Sequence, residues 1–115
     1  MKSSIGIDIV DVAEFRKRIQ RTKTLKTRLF TDYEIKYCKK KPIEHLATRF
    51  AAKEAFSKAC DIKYLSWQDV EIRNYPSGKP FLKISKKIRN KIKIKSADVS
   101  LSNTKKYVVA FVIIN

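Results

Sequence analysis

The chain contains few of the residue types that build common metal centres. It has two cysteines and one histidine among 115 residues. Cys38 and Cys60 form no CxxC pair, and the single histidine, His45, cannot complete a zinc ligand set with them. The sequence therefore predicts no zinc centre and two free thiols that are buried or half-buried.

Long apolar runs are also missing. Residues 1–10 contain neither the apolar stretch nor the cleavage site of a signal peptide. No segment approaches the roughly 20 apolar residues that a membrane-spanning helix requires. We therefore expect a soluble, cytoplasmic protein with no membrane partner.

Acidic residues are scarce. Against 27 lysines and arginines there are 11 aspartates and glutamates, which gives a formal net charge of +16. Such a charge attracts nucleic acid, an anionic membrane, a phosphate-rich small molecule or an acidic protein. A biased genome composition would explain part of the lysine excess without any partner.

The length suits one domain with a modest core, and no repeat or linker divides residues 1–115. The segment from Thr31 to Glu34 has the pattern of a capping box, which predicts a helix start. In the first half of the chain the patterns predict a strand over 5–10, an amphipathic helix over 12–19, a basic connector over 22–29, a helix from 32 to about 40 and a long helix from 43 to about 60. In the second half they predict a hairpin of 69–73 and 81–84, a basic helix ending near 92, and strands over 98–102 and 107–114. This order indicates an α+β fold in which a mostly antiparallel sheet packs against the long helix.

Glycine occurs only twice, so its positions are informative. Gly6 falls within the first predicted strand, where glycine normally costs stability. One explanation is the close approach of another backbone or of the long helix. Asp8 shares the face of Gly6, because side chains alternate along a strand.

The segment RFAAKEAFSK, residues 49–58, is the most informative part of the chain. Glu54 and Lys58 project from one alanine-lined helix face, where charged groups need a partner, a metal or a ligand. With Asp8 as a second carboxylate, Glu54 could hold Mg²⁺ together with a phosphate and waters. The alternative is that Asp8 caps the strand end while Glu54 pairs with Lys58.

Several blocks of the sequence are similar to one enzyme family. They are GIDIV at 6–10, RFAAKEAFSK at 49–58, VSLS at 99–102 and YVVA at 107–110, with residues 65–72 and 78–80 between them in the family's order. Over nearly its whole length, the chain resembles the holo-[acyl-carrier-protein] synthases, which are small single-domain 4′-phosphopantetheinyl transferases. The block at 49–58 is the most specific of these matches.

The resemblance implies a cytoplasmic enzyme with a 4′-phosphopantetheinyl transferase-like fold that uses coenzyme A and Mg²⁺. Such an enzyme transfers the 4′-phosphopantetheine group to a serine of an apo-acyl carrier protein and releases adenosine 3′,5′-bisphosphate. The family is typically trimeric, so the resemblance also implies a homotrimer with active sites between subunits.

The resemblance also implies residue roles. Asp8 and Glu54 match the metal-binding acids of the family, and Lys58 matches its active-site lysine near the coenzyme A phosphates. Lys58 and Mg²⁺ would stabilise the charge that builds on phosphate oxygens as the pyrophosphate bond breaks. The base for the serine is either Glu54 or a water on the metal. Arg49 is either a phosphate contact at a subunit boundary or part of a structural ion pair.

Three positions depart from the family pattern. Glu14 stands where the family often has arginine, and Asn103 stands where histidine is common. Asparagine can bond a coenzyme A phosphate but cannot take up a proton near pH 7. The loop at residues 59–64 has no glycine, so either the affinity for coenzyme A is lowered or side chains such as Lys63 bind the nucleotide.

The charge balance is compatible with an acidic carrier protein as the partner, because basic side chains would steer its approach. The steering candidates are Arg16, Lys17, Arg18, Arg21 and Arg28. One alternative is a degenerate paralogue that binds carrier protein or coenzyme A without transfer. The other is a small basic nucleic-acid-binding domain, but no recognised RNA or DNA motif occurs, so no nucleic-acid partner is expected.

Overall fold

A computed structural model describes residues 3–62 and 66–115. In chain order the elements are β1 (Ser4–Asp11), α1 (Val12–Arg21), α2 (Leu25–Leu29), α3 (Asp32–Tyr37), α4 (Pro42–Cys60), a 3-10 helix (Trp67–Asp69), β2 (Val70–Asn74), β3 (Pro80–Ile84), α5 (Lys86–Ile92), β4 (Ala97–Asn103) and β5 (Tyr107–Ile114). Among the helices in these residues, none has both the length and the apolar character that crossing a bilayer requires.

The strands form two antiparallel sheets. β1, β5 and β4 make a three-stranded sheet in that order, and β2 pairs with β3 in a separate hairpin. In the larger sheet Gly6 pairs with Val112 and Asp8 pairs with Ala110, so both face the same side as the buried positions of β5. The predicted α+β class with an antiparallel sheet against a long helix is confirmed.

The long helix α4 lies at the centre of the molecule. It packs on β1 and β5 and also contacts α1, α3 and β2. Its alanines allow this close approach from several sides, and Ala47, Ala51, Ala52 and Ala55 are fully buried. A helix surrounded in this way also buries two of its charged side chains, Arg49 and Lys53, which matters for the site described below.

Two predicted boundaries were wrong. The predicted basic connector contains the short helix α2, because Leu25 and Leu29 lie four residues apart and bury one common face. The helix predicted to run to about Lys40 ends at Tyr37. The intervening residues form a turn, and Pro42 then occupies the first turn of α4, where its missing N–H has no cost.

The capping box and both thiols follow the sequence predictions. Thr31 Oγ1 accepts a bond from the Glu34 N–H at 3.2 Å, and Glu34 Oε1 accepts from the Thr31 N–H at 2.9 Å. Cys38 is buried and Cys60 half-buried, and both are free. Burial raises the pKa of Cys38 to about 11 and that of Cys60 to about 12, so both stay protonated at neutral pH.

Gly6 is where β1 meets the backbone of α4. A Cβ atom at this position would lie 1.9 Å from the Ala55 carbonyl oxygen and 2.8 Å from the Ala59 nitrogen. Neither backbone atom can move without displacing the helix. The predicted close approach of the long helix is therefore confirmed, and it sets the distance between Asp8 on β1 and the residues of α4.

Replacing Gly6 by alanine is expected to lower the free energy of unfolding by about 3 kcal/mol or more, since the strand must separate from the helix. Urea denaturation monitored by circular dichroism measures the change. Gly78→Ala is the matched control: its φ of +94° is unfavourable for alanine, but nothing lies within 4 Å of the added Cβ. A cost of about 1–2 kcal/mol is expected there. Equal costs at both glycines would contradict the packing argument.

Candidate active site

Asp8 projects from β1 toward α4 and meets the lysine of the 49–58 segment. Lys58 Nζ lies 3.1 Å from Asp8 Oδ1 and also donates to the Ile7 carbonyl oxygen at 3.0 Å. The side chain of Asp8 is only 15% exposed, whereas that of Lys58 is 55% exposed. The ion pair therefore joins a well-enclosed carboxylate to an ammonium that still reaches solvent.

Glu54 and Asp8 line one cleft between β1, α1 and α4, with a volume of about 290 Å³. Burial raises the pKa of the half-buried Glu54 above its ordinary value, and the negative charge of Asp8 raises it further. The positive charges of Lys58 and Arg18 act in the opposite direction. Mutual repulsion of this kind occurs where two carboxylates share a site, and a cation between them would relieve it.

The donor chemistry of this cleft fits Mg²⁺. Asp8 and Glu54 offer hard carboxylate oxygens, and a site with two protein ligands leaves positions for phosphate oxygens and water. In residues 3–62 and 66–115, no three side chains of the His, Cys, Asp and Glu types gather in a way that could hold a metal.

Arg49 is 5% exposed and has no carboxylate within ion-pair distance in the described part of the chain. Its guanidinium donates to Asn74 Oδ1 at 2.7 Å and to Thr48 Oγ1 at 2.8 Å, and lies 5.2 Å from the centre of the Tyr37 ring. Within the same residues its Nε has no hydrogen-bond partner. Within the described residues of one chain, Arg49 thus makes hydrogen bonds but not the structural ion pair that is one of the two roles considered for it.

Asn103 lies at the end of β4 and lines a different cleft, of about 730 Å³. The basic residues of this cleft are Arg16, Lys40, Lys41 and Lys105. Among residues 3–62 and 66–115, none lines both this basic cleft and the cleft of Asp8 and Glu54. One chain thus brings Asp8, Glu54 and Lys58 together, whereas Asn103 lines the basic cleft. Lys63 falls outside the described residues.

The five steering candidates are exposed on two helices. Arg16, Lys17, Arg18 and Arg21 lie on α1, and Arg28 lies on α2. Arg18 lines the acidic cleft and covers the Phe50 ring at 5.4 Å. Glu14 is 70% exposed on the same rim and lies 3.9 Å from Lys17. An approaching partner would therefore meet both charge signs beside the cleft.

Sequence reasoning missed the buried pair of Lys53 and Glu34, which supports the helix that carries Glu54. Both side chains are fully buried, and Lys53 Nζ lies 2.7 Å from Glu34 Oε1. The sequence did indicate that Lys53 is buried. Lys53 is three residues from both Phe50 and Phe56, so it had to share their buried face.

Comparison with known proteins assigns the family. The family model of the 4′-phosphopantetheinyl transferase superfamily matches residues 4–112. The holo-[acyl-carrier-protein] synthase of Geobacter sulfurreducens is 41% identical over 118 aligned residues, covering 95% of this chain and 94% of the relative. That of Chloroherpeton thalassium is 40% identical over 116 aligned residues, covering 96% and 95%.

A solved structure agrees with these relatives. The crystal structure of Helicobacter pylori holo-[acyl-carrier-protein] synthase in complex with coenzyme A superimposes with a TM-score of 0.90 at 34% identity, covering 96% of this chain and 99% of that one. The fold is thus that of a phosphopantetheinyl transferase. This chain belongs to the 4′-phosphopantetheinyl transferase superfamily, and the resemblance seen in its sequence is confirmed.

Proposed function

We propose that this protein transfers the 4′-phosphopantetheine group of coenzyme A to a serine of an apo-acyl carrier protein. The observation that carries the proposal is the cleft in which Asp8 of β1 and Glu54 of α4 lie side by side, with Lys58 bonded to Asp8. Membership of the family and the coenzyme A complex of the Helicobacter pylori relative support the choice of substrate. The second product is adenosine 3′,5′-bisphosphate, and the proposed location of the reaction is the cytoplasm, which the family resemblance supports.

Asp8 and Glu54 would hold Mg²⁺ through their carboxylate oxygens. When bound, the ion neutralises charge that develops on the pyrophosphate oxygens. Glu54 is the proposed base for the serine hydroxyl, whose oxygen bonds to the phosphorus on the pantetheine side. The bond from that phosphorus to the leaving phosphate breaks, and Lys58 stabilises the charge on the phosphate oxygens.

The basic cleft is the proposed place for further coenzyme A phosphates. Lys40, Lys41 and Lys105 supply positive charge there, and the Asn103 amide can donate a hydrogen bond. Arg49 carries a buried charge that no carboxylate of the described residues offsets, which suits an anionic ligand. Lys63 remains a proposed nucleotide contact on the strength of the sequence alone.

A site formed between subunits would unite the two clefts. Because the acidic and basic clefts of one chain share none of the described residues, a neighbouring subunit could supply the second half of the active site. The chain itself is proposed to act as one domain, because α4 packs on β1, near the N-terminus of the chain, and on β5, near its C-terminus.

The outer face of the larger sheet is a suitable surface for this assembly. Ile5, Ile7 and Ile9 are 63%, 58% and 63% exposed. They pair with Ile113, Phe111 and Val109 on β5, so the six side chains form one continuous apolar patch. Exposed apolar patches of this kind mark interaction surfaces. A homotrimer, as the resemblance implies, would cover it.

Replacing Ile7 by glutamate is expected to convert the trimer into a monomer, because a charge at the centre of the patch loses its hydration on assembly. Sedimentation velocity reports the change directly. Ile7→Val is the matched control and should remain trimeric, since it keeps the surface apolar. A trimeric Ile7→Glu variant, or a monomeric unmodified protein, would rule out this interface.

An acidic apo-carrier protein is the proposed second substrate. α1 carries exposed cations and lines the acidic cleft through Arg18, so opposite charge on this helix would raise the rate of encounter. Arg18 is the steering residue that lines the cleft itself.

Release of adenosine 3′,5′-bisphosphate tests the proposed function. The protein is mixed with coenzyme A, Mg²⁺ and an acidic apo-carrier protein, and nucleotides are separated by chromatography. We expect one bisphosphate released for each carrier protein consumed, and none without the carrier. Coenzyme A binding without release, across several carrier proteins, would instead favour the non-catalytic paralogue.

A further inference from the structure

Lys58 makes two contacts that fix its ammonium beside Asp8. It donates to Asp8 Oδ1 at 3.1 Å and to the Ile7 carbonyl oxygen at 3.0 Å. Both acceptors belong to β1, whereas Lys58 belongs to α4. The ammonium therefore occupies part of the coordination space of the carboxylate that the proposed function assigns to Mg²⁺.

The two partners of this ion pair, Asp8 and Lys58, differ in how readily their side chains can move. Asp8 lies on a strand held against α4 through Gly6, and its side chain is only 15% exposed. Lys58 is 55% exposed, and its four-carbon stem can turn the ammonium into water at little cost. Ion pairs with an exposed partner contribute little to stability, so the contact is easily exchanged.

We propose that Lys58 is a tethered counter-cation of Asp8 that competes with the divalent cation for the same carboxylate. This inference rests on the proposed function, because it assumes that Asp8 and Glu54 hold the metal. Lys58 lowers the affinity of the cleft for the cation, both by bonding Asp8 Oδ1 and by like-charge repulsion. Cation binding then releases the ammonium, which becomes available to the phosphates of coenzyme A.

This exchange gives Lys58 two successive partners in the same cleft. Paired with Asp8, it offsets part of the repulsion between the two neighbouring carboxylates. Once displaced, it keeps its charge and remains tethered one helical turn from Glu54. The lysine thereby links occupation of the metal site to preparation of the phosphate site.

Mn²⁺ binding measured by electron paramagnetic resonance tests the competition without any turnover. Free Mn²⁺ is titrated against the whole protein in the absence of coenzyme A and carrier. Lys58→Met is expected to bind Mn²⁺ roughly three- to tenfold more tightly than the unmodified protein, since it keeps the stem but loses the competing charge. Lys58→Arg should leave the affinity nearly unchanged.

Two controls separate the local contact from a general effect of charge. Lys87→Met removes one positive charge from the exposed surface of α5 and should leave the Mn²⁺ affinity unchanged. Asp8→Asn should weaken Mn²⁺ binding, and adding Lys58→Met to it should then produce little further gain. Urea unfolding of each variant confirms that the fold is retained.

The outcomes distinguish the inference from the function on which it rests. Tighter binding by Lys58→Met, absent in Lys87→Met, supports the competition. Unchanged or weaker binding by Lys58→Met, while Asp8→Asn still loses Mn²⁺, overturns the competition and leaves the metal site in place. Failure of both the unmodified protein and Lys58→Met to bind Mn²⁺ overturns the competition and the proposed metal site together.

Discussion

Replacing Asp8 by asparagine or Glu54 by glutamine is expected to slow phosphopantetheine transfer by roughly a thousandfold or more, while the protein stays folded. Each change removes one of the two carboxylates that line the cleft, and with it a ligand for the cation that neutralises the pyrophosphate. Loss of Glu54 also removes the proposed base.

The amide replacements keep the size and shape of the side chains, so the effect on packing is small. Initial rates of bisphosphate release at saturating coenzyme A measure the loss. Glu14→Gln is the matched control, because Glu14 lines the same cleft at its exposed rim and has no assigned role in metal binding. Most of the rate should remain in that variant. Near-normal turnover in Asp8→Asn or Glu54→Gln would remove the two-carboxylate site.

Breaking the buried pair of Lys53 and Glu34 is expected to lower the free energy of unfolding by about 3–5 kcal/mol. Lys53 Nζ also donates to the carbonyl oxygens of Leu29 at 2.8 Å and Trp67 at 2.7 Å. Glu34 Oε2 in turn accepts from the Ile72 N–H at 2.8 Å. Removal of either charge leaves the other charge buried without its counter-charge.

The cost is large in comparison with the whole stability of such a domain, which is commonly about 5–15 kcal/mol. Burial lowers the pKa of Lys53, and Glu34 opposes that shift, so the ammonium depends on its partner to stay charged. The pair joins α3, α4 and β2, and its loss would loosen the helix that carries Glu54.

Urea denaturation of Lys53→Met, Glu34→Gln and the double variant measures this pair. We expect both single variants to be strongly destabilised and the double variant to lose less than the sum of the two. Lys17→Met is the control, since its ion pair with Glu14 is exposed on both sides and should contribute little. Additive losses at Lys53 and Glu34 would contradict a coupled buried pair.

Local features of the fold followed from the sequence. The capping box at Thr31 and the glycine at position 6 involve residues whose chemistry allows few alternatives, and both had the predicted roles. The helix α2 was missed because two leucines in a basic segment give only one turn of periodicity. Burial of Leu25 and Leu29 becomes apparent only when their tertiary neighbours are known.

Long-range partners were harder to predict. The segment at 49–58 indicated a site at Glu54 and Lys58, and the alternation of β1 placed Asp8 beside it. Nothing in the spacing joined Arg49 to Asn74, because a hydrogen bond between distant elements depends on the packing of α4 against β2. For the same reason, the position of Asn103 in the basic cleft appeared only in the structure.

The intact mass of the carrier protein tests the central claim most directly. Apo-carrier protein, coenzyme A and Mg²⁺ are incubated with the unmodified protein, and in parallel with the Glu54→Gln variant. We predict that one 4′-phosphopantetheine group is added to the carrier by the unmodified protein and almost none by the variant. A carrier variant that lacks the acceptor serine should remain unchanged. No added mass on any of several acidic carriers, from a folded protein supplied with Mg²⁺, would contradict the account.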